Sequence, residues 1–186
     1  MLKKIKTEIA YRLINHGPIV LITSIDKNNE PNIMTIAWTS VINSEPPLVA
    51  IAVGNQAYSQ KSIKESKEFV INIPDKKLMK SIIYCGNHSG ENINKFGTLK
   101  LSPLKSDTIK PPKIKECFAH LECKVIKQYR YSDVLFFISK VVYADVEKKY
   151  FDESIKTDKI KTIHHLGGGW FAETGKRFTP LKNVDI

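Results

Sequence analysis

The sequence predicts a mainly β protein, a β-barrel with peripheral helices. Its 186 residues are 42% hydrophobic and 26% charged, a composition that supports one buried core and indicates a single domain over residues 1–186. Short segments rich in β-branched residues recur along the chain, separated by polar links of hairpin length. At least six strands linked in this way favour closure into a barrel, because closure removes exposed strand edges.

The first half of the chain supplies one helix and three strands. A helix over residues 5–15 is predicted by the four-residue spacing of Ile5, Ile9 and Leu13. Strands over residues 18–26 and 32–41 flank a polar link at 27–30 and predict a hairpin. A third strand over residues 48–53 is apolar throughout, which indicates burial on both faces.

Helices and strands alternate over the second half. Residues 59–66 are predicted to form a helix and residues 69–73 a short strand, and Asp75 can cap a helix that carries Leu78, Met79, Ile82 and Ile83. Residues 89–96 are expected to add one or two helical turns. Two strands over 119–128 and 134–146 then lie close enough along the chain to pair.

The net charge of +10 raises nucleic acid as a partner, but the kind of basic residue argues against it. Only three of the 29 basic residues are arginine, the side chain best suited to phosphate and base edges. Eight lysines between Lys95 and Lys127 are spread among acidic residues and are expected to form a solvated surface.

Apolar stretches and cysteines indicate the compartment. The longest apolar stretches, residues 19–22 and 46–53, fall far short of the roughly 20 residues that a membrane helix needs. The basic start of the chain is followed by charged residues rather than by the apolar stretch of a signal peptide. Three cysteines without a CxxC pair suit a reducing compartment, so we expect a cytoplasmic protein.

Several motif-based functions lack support. The chain has neither GxGxxG after a strand nor GxxxxGK[ST], and Gly167 to Gly169 fit a turn better than a phosphate cradle. Cys117, His120 and Cys123 suggest a zinc site, but alternation along a strand sends the histidine to the opposite face, so no metal site is predicted. Cys85 with His88 is too generic a pair to predict a catalytic dyad.

Polar residues in two segments suggest a ligand. Side chains alternate between the two faces of a strand over residues 32–40. One face carries Thr35 and Thr39, and the other carries Asn32, Met34, Trp38 and Ser40. Residues 58–62 open a helix with hydroxyls and Lys61, where free backbone N–H groups favour a phosphate. A flat heteroaromatic ligand with a phosphate tail would use both segments, but a plain helix cap and solvent-facing threonines explain them equally well.

Six segments together resemble the flavoredoxin branch of the flavin reductase-like, FMN-binding split-barrel family. They are Pro31-Asn-Ile-Met-Thr-Ile-Ala-Trp-Thr-Ser40, Pro46-Pro-Leu-Val-Ala-Ile51, Tyr58-Ser59, residues 65–74, Tyr84-Cys-Gly86 with Ser89-Gly90, and residues 116–123. The similarity extends over about residues 10–171 in the family's order.

The resemblance implies a homodimeric split barrel that binds FMN near the subunit interface and passes electrons through it. By this resemblance the flavin ring and ribityl chain are lined by Asn32, Thr35, Trp38, Thr39 and Ser40, with backbone contacts from Val53 and Gly54. The phosphate end is held by Tyr58, Ser59 and Ser62, with Lys61 as a further contact, and Asn72 hydrogen-bonds within the pocket. The far wall is formed by Cys85, Gly86, Ser89 and Gly90.

The sequence departs from the family pattern at three places, one of which is Ser139-Lys140-Val141, where related sequences tend to have Gly-Glu-Val. Ala57 stands where an arginine often precedes the Tyr-Ser pair, and Val134 stands where related reductases often have a histidine on the nicotinamide side. The expected function is an FMN-binding flavin or ferric reductase, or a flavoredoxin-like electron-transfer protein, with NAD(P)H or a ferredoxin-like protein as donor. The alternatives are a flavin-binding module without turnover and, less favoured, a basic barrel that binds nucleic acid. A homodimer is also expected because Trp170 and Phe171 are apolar and follow the glycine run.

Overall fold

The computed structural model of the chain describes residues 17–178 together with residues 6, 10, 12 and 13. The strands in this part of the chain are β1 (Val20–Ile25), β2 (Pro31–Ile36), β3 (Thr39–Asn43), β4 (Leu48–Gly54), β5 (Glu68–Ile73), β6 (Pro103–Leu104), β7 (Lys113–Ile114), β8 (Ala119–Tyr131), β9 (Val134–Val146), β10 (Ile163–Gly167) and β11 (Trp170–Glu173). The helices are α1 (Tyr58–Ser66), α2 (Met79–Asn87) and α3 (Lys95–Leu99), with 3₁₀ turns at Lys76–Leu78 and Lys148–Tyr150.

Seven strands form one antiparallel sheet in the order β2-β1-β5-β8-β9-β4-β3. The two edge strands, β2 and β3, follow each other directly along the chain, so the sheet must curl until its edges meet. The backbone N–H of Ala52 on β4 donates to the carbonyl of Trp38 between the two edges, at 3.0 Å. The expected barrel with peripheral helices is confirmed, with a gap where β2 and β3 do not pair.

The predicted strand over residues 32–41 was wrong in one respect, because the structure divides it into β2 and β3 at Ala37 and Trp38. β2 pairs with β1 and β3 pairs with β4, on opposite edges of the sheet. One straight strand cannot serve both edges. The alternation of side chains predicted along residues 32–40 therefore holds within β2 but does not continue into β3.

Two apolar clusters pack on opposite faces of β1, which is buried on both. Leu21 on one face packs with Ile33, Ile82 and Phe96 under α2 and α3. Ile22 on the other face belongs to the cluster inside the barrel, which includes Met34, Ile51, Ile63, Phe69 and Phe137. The helix predicted after Asp75, α2, thus covers the sheet from outside, and the helix predicted at 59–66, α1, closes its end with Ile63 in the inner cluster. Asp75 accepts a hydrogen bond from the backbone N–H of Lys77 at 2.9 Å and so acts as the predicted cap.

Other elements differ from the sequence prediction in detail. β4 is buried at Ile51 and Val53 on one face, whereas on the other face Ala50 is buried, Ala52 is half-buried and Gly54 is exposed, so the predicted burial on both faces holds only in part. β6, β7, β10 and β11 were not predicted, because two- to five-residue strands carry too few residues for a periodicity to emerge. Gly167 and Gly168 have positive φ in the turn between β10 and β11, so the glycine run forms a turn as predicted. The helix predicted over residues 5–15 lies largely outside the described residues.

No helix in the described part of the chain is long and apolar enough to cross a membrane. The helices α1 and α2 have nine residues each and α3 has five. The apolar stretch over residues 48–53 belongs to strand β4.

A buried lysine fastens the segment between α3 and β8 to the sheet. Lys113 is only 3% exposed, and its ammonium lies 2.5 Å from Asp107, 2.6 Å from Asp145 and 3.5 Å from Glu122. Burial by itself would raise the pKa of Glu122, but hydrogen bonds from Thr108 and from two backbone N–H groups outweigh it and the pKa is lowered. The expected solvated lysine surface is therefore wrong for Lys113, which is an internal ion-pair partner.

Replacing Lys113 by methionine should lower the free energy of unfolding by about 3–5 kcal/mol, because Glu122 then remains buried without its cation. Urea unfolding of the K113M variant measures this loss. The exposed Lys110, three residues earlier, is the matched control, and K110M should stay within about 0.5 kcal/mol of the unchanged protein. Equal stabilities of the two variants would contradict the role given to Lys113.

Candidate functional site

A cleft of about 370 Å³ opens beside the free edge of β2. Its walls are β2, the end of β4, the start of α1 and the end of α2 with the loop that follows it. Ten residues proposed from the sequence line this one cleft: Asn32, Thr35, Val53, Gly54, Tyr58, Ser59, Cys85, Gly86, Ser89 and Gly90. The fold thus brings together segments that are up to 58 positions apart in the sequence, from Asn32 to Gly90.

Asn32 is a buried polar residue whose hydrogen bonds are incomplete. Its Nδ2 donates to Ser59 Oγ at 2.7 Å and so links β2 to α1. Its Oδ1 is buried with no hydrogen-bond partner among the described residues. A side chain at Gly90 would collide with this amide, so glycine is needed for the loop to pass over it. Asn32 therefore brings to the wall of the cleft a buried acceptor that has no donor.

The start of α1 has no side-chain cap. Ala57 occupies the N-cap position, and no acidic residue stands in the first turn to accept from the free backbone N–H groups. Arg130 on β8 instead braces this turn: it donates to Asn55 Oδ1 and, at 3.2 Å, to Gln60 Oε1. The turn is thus held in place by contacts that leave its N-terminal end open for an anion.

The far wall is formed by the end of α2. Thr35 Oγ1 donates to the carbonyl of Ile82 at 2.6 Å, which holds α2 against β2. Burial raises the pKa of the Cys85 thiol to about 11, so this cysteine is neutral near pH 7. The ring of His88 stacks on Tyr84 at 3.9 Å, and its Nδ1 lies 3.0 Å from the carbonyl of the same residue. Cys85 and His88 therefore do not form a catalytic dyad.

A second groove of about 510 Å³ continues from the cleft along α1. Lys61 and Lys64 border it on the helix, and Glu65 and Glu91 face it as well. Lys61, proposed from the sequence as a phosphate contact, therefore lies at the mouth of the site rather than in its floor. Tyr58 stands between the two spaces, and burial followed by the charge of Asp26 raises the pKa of its phenol, which keeps it a hydrogen-bond donor.

Besides Lys61, five residues proposed for the site do not line the cleft. Trp38 and Ser40 lie past the break between β2 and β3 and are exposed, and Thr39 is half-buried beside them. Ser62 is buried on the next turn of α1 after Ser59. Asn72 is buried in the sheet, where its Nδ2 donates to the carbonyl of Leu21 at 2.9 Å and its Oδ1 accepts from the N–H of Ile114 at 2.8 Å. Its polar atoms thus join strands β1 and β5 to β7.

Sequence reasoning missed several residues of the cleft. The apolar side chains of Met34 and Ile36 alternate along β2 and line the cleft, as do Gln56 before α1 and, at the end of α2, Asn87 and His88. Lys95 also lines it and is 2% exposed, although its place among scattered lysines suggested a solvated residue. Its position directly after Asn94, the cap of α3, was the one local sign that it starts a helix.

The cysteine and histidine residues considered for zinc are engaged elsewhere. His120 Nδ1 lies 2.6 Å from Asp145 Oδ1 and its Nε2 lies 2.9 Å from the carbonyl of Ile114. Burial raises the pKa of Cys123 to about 12. No group of three or more metal-binding side chains occurs within the described ranges.

Comparison with known proteins agrees with this geometry. The sequence model of the flavin reductase like domain matches residues 12–163. The uncharacterized protein YddH of Escherichia coli (strain K12) is 36% identical over 179 residues, which cover 91% of this chain and 93% of that protein. The flavoredoxin of Desulfovibrio vulgaris (Miyazaki F) is 25% identical and superposes with a TM-score of 0.86 over 99% of both chains.

The fold is the one expected from the resemblance. A putative flavin reductase with a split barrel domain from Shewanella frigidimarina superposes with a TM-score of 0.83 at 16% identity, over 97% of this chain and 94% of that chain. The match of the family model to most of the sequence agrees with the split barrel and with a flavin-related redox role. The chain belongs to the family of flavin reductase-like domains.

Proposed function

We propose that this protein is an FMN-containing redox flavoprotein, either a flavin or ferric reductase or an electron-transfer protein of the flavoredoxin type. The observation that carries the proposal is the unpartnered Oδ1 of Asn32, a residue in the wall of a cleft that also contains the open start of α1. One ligand that presents an N–H donor and a phosphate would satisfy both. FMN has both groups, joined by a flexible ribityl chain.

The walls suit the parts of FMN in order. Met34, Ile36 and Val53 supply apolar surface for a flat ring. Asn32 offers an acceptor for the ring, and its hydrogen bond to Ser59 links the part of the cleft proposed for the ring to the start of α1. The backbone N–H groups at Tyr58 and Ser59, with Lys61 at the mouth, provide the donors for a phosphate.

Bound FMN supplies the electron-transfer chemistry, and the protein's residues bind it, orient it and limit its contact with water. Cys85, neutral because of its raised pKa, adds no charge to the wall of the cleft. The electron acceptor would approach from the open side, where the groove along α1 begins.

A homodimer fits the exposed apolar surface next to the cleft. Tyr129 on β8 pairs with Phe136 on β9, and Phe136 pairs with Ala52 on β4. Ala52 is hydrogen-bonded to Trp38 in the link between β2 and β3. These four residues form a row on the outer face of the barrel. Three of the four are large exposed apolar residues. Gly54 is two residues after Ala52 and therefore lies on the same face of β4, where it also lines the cleft. A second copy on this row would cover both the row and the open side of the cleft.

This row is a better candidate interface than the segment indicated by the sequence. Trp170 is exposed, but Phe171 is half-buried and packs against the cluster under α2. The hairpin of β10 and β11 therefore already has a contact within its own chain.

The phosphate assignment predicts different effects for two serines on α1. Ser59→Ala removes a hydroxyl that lines the cleft, and should weaken FMN by about tenfold to a hundredfold, because a hydrogen bond to a charged group contributes about 1.5–3 kcal/mol. Ser62→Ala is the matched control, since Ser62 is equally buried on the same helix but does not line the cleft. Fluorescence titration of the apoprotein with FMN and with riboflavin measures both.

Riboflavin affinity should change less than FMN affinity in S59A. A purified protein that is colourless and cannot be reconstituted with FMN would contradict the proposed function itself. Equal FMN affinity in S59A and the unchanged protein would place the phosphate elsewhere.

The dimer predicts that a charge in the apolar row separates the subunits. Phe136→Glu should raise the dimer dissociation constant by about a hundredfold or more, because an unpaired carboxylate is costly to bury and occurs twice in a symmetric interface. Phe151→Glu is the matched control: Phe151 is 41% exposed, against 40% for Phe136, and lies outside the row. Sedimentation velocity at micromolar concentration measures the oligomeric state, and an unchanged protein that is monomeric with FMN bound contradicts the dimer.

Two features beside the cleft bear on the choice of electron donor. Val134 pairs with Gly54 at the edge of the cleft, so no imidazole stands there to contact a nicotinamide. Lys61 and Lys64 border the open groove beside Glu65 and Glu91, so the excess of positive charge for an acidic protein comes from the chain as a whole, with its net charge of +10. These two features favour a ferredoxin-like donor over free NADH or NADPH.

Stopped-flow bleaching of the bound flavin distinguishes the donors. Reduction by an acidic ferredoxin should be faster than by NADH or NADPH, and should slow with salt and in Lys64→Glu but not in Lys80→Glu, a control on the exposed face of α2. Reduction by a pyridine nucleotide alone at rates on the order of 10 per second would identify a conventional NAD(P)H-dependent reductase. Reduction by neither donor would favour the flavin-binding module without turnover.

A further inference from the structure

Two lysines are buried in the described structure, and they differ in whether carboxylates balance their charge. Lys113, 3% exposed, has three carboxylates within 4 Å. Lys95, 2% exposed, forms no ion pair with any carboxylate in the described part of the chain. A buried ammonium ordinarily needs a counter-charge as well as hydrogen bonds, so the contrast calls for an explanation.

The hydrogen bonds of Lys95 come from two neutral carbonyls. Its Nζ donates to Ile33 on β2 at 2.7 Å and to Cys85 near the end of α2 at 3.2 Å. The carbonyl end of a helix favours a cation, which accounts for part of its stability there. Burial nevertheless lowers the pKa of Lys95, and the neighbouring thiol of Cys85, with its own pKa raised to about 11, supplies no formal negative charge near pH 7.

Lys95 shares the wall of the cleft with Asn32, whose Oδ1 has no partner. One position thus offers a positive N–H donor, and the other an acceptor without a donor. The pyrimidine end of a flavin ring has a group to match each residue. Its N1 and C2 carbonyl can accept from Lys95, and the adjoining N3–H can donate to Asn32. The phosphate is a poorer match for Lys95, because the phosphate end is assigned to the mouth of the site, where Lys61 and the start of α1 are accessible.

We propose that Lys95 stabilises the negative charge that the flavin ring gains at its N1 and C2-carbonyl edge on reduction, and so makes the protein bind reduced FMN more tightly relative to oxidised FMN. This inference rests on the proposed FMN binding. Two electrons and one proton added to the neutral oxidised ring leave one negative charge on it. The electrons come from the physiological donor or, in the test below, from dithionite. The buried ammonium is then paired, as Lys113 already is.

The test compares three substitutions of known charge. Lys95→Gln can still donate to one or both carbonyls but has no charge, and Lys95→Arg keeps the charge. Lys61→Gln removes a cation at the mouth of the same site. For each protein, the dissociation constants of oxidised FMN and of FMN reduced anaerobically with dithionite are measured by titration of the apoprotein, and apoprotein melting reports on folding.

The expected result is a change in the ratio of the two constants. K95Q should bind reduced FMN about tenfold or more weakly than the unchanged protein while losing at most about threefold for oxidised FMN, because a hydrogen bond to a charged group contributes about 1.5–3 kcal/mol. A tenfold change in this ratio corresponds to a midpoint potential about 30 mV lower for a two-electron couple. K95R should keep the ratio within about threefold. K61Q should weaken both redox states by the same factor, since the phosphate charge does not change on reduction.

Equal losses for the two redox states in K95Q would overturn the inference and leave Lys95 as a structural link between β2 and α2. Absence of FMN binding by the unchanged protein would instead contradict the proposed function, so the two failures are distinguishable. Should K95Q not fold, a pH titration of the unchanged protein decides: the absorbance of bound reduced FMN should keep its anionic form to lower pH than free reduced FMN. Protonation at the same pH as free FMN would overturn the inference.

Discussion

Strand β2 pairs with β1 along one edge only, because the chain leaves the sheet at Ala37 and Trp38 and begins β3 on the opposite side. Its other edge carries backbone groups that need partners, and the fold meets part of this need with side chains rather than with another strand. Lys95 donates to the carbonyl of Ile33, and Thr35 fastens the edge to α2. The part of the edge that α2 and α3 leave uncovered is the cleft. Its position, its walls and the burial of its polar groups all depend on this one unpaired edge.

Two buried groups of the cleft lack the partner that would complete them, and in the rest of the described structure the hydroxyls of Ser24 and Ser139 are also buried without a hydrogen bond. The network around Lys113 balances a cation with three carboxylates and fastens a long segment to the sheet. In the cleft, by contrast, Asn32 has an acceptor without a donor and Lys95 has a charge without a counter-charge. Burial of such groups is unfavourable unless a ligand completes them, and a ligand that does so gains affinity from groups already held in place. The same chain thus uses one buried lysine for stability and, in our account, the other for function.

Much of the fold was accessible from the sequence because its longer strands and helices have clear periodicities. The strand over residues 134–146 has the predicted bounds, and α1 and β5 begin only one residue earlier than expected. Ten of the proposed site residues line one cleft, and they could be predicted because their motifs match those of the family. The break at Ala37 could not be predicted, since it arises from pairing with two distant strands and not from a local breaker. The burial of Lys95 and the hydrogen bonds of Asn72 within the sheet also depend on neighbours distant in sequence. Residue type suggested a solvated Lys95, and the family resemblance implied that Asn72 lies in the pocket.

The central claim is that the uncovered edge of β2 is the flavin site, with Asn32 as its buried acceptor. A crystal structure of the protein reconstituted with FMN tests this most directly. The account predicts a flavin ring in the cleft between β2 and the end of α2, with an N–H or O–H group of FMN at about 3 Å from Asn32 Oδ1 and the phosphate at the start of α1. A flavin bound elsewhere on the molecule, or an Asn32 Oδ1 satisfied by water or protein while FMN lies in the cleft, would contradict it.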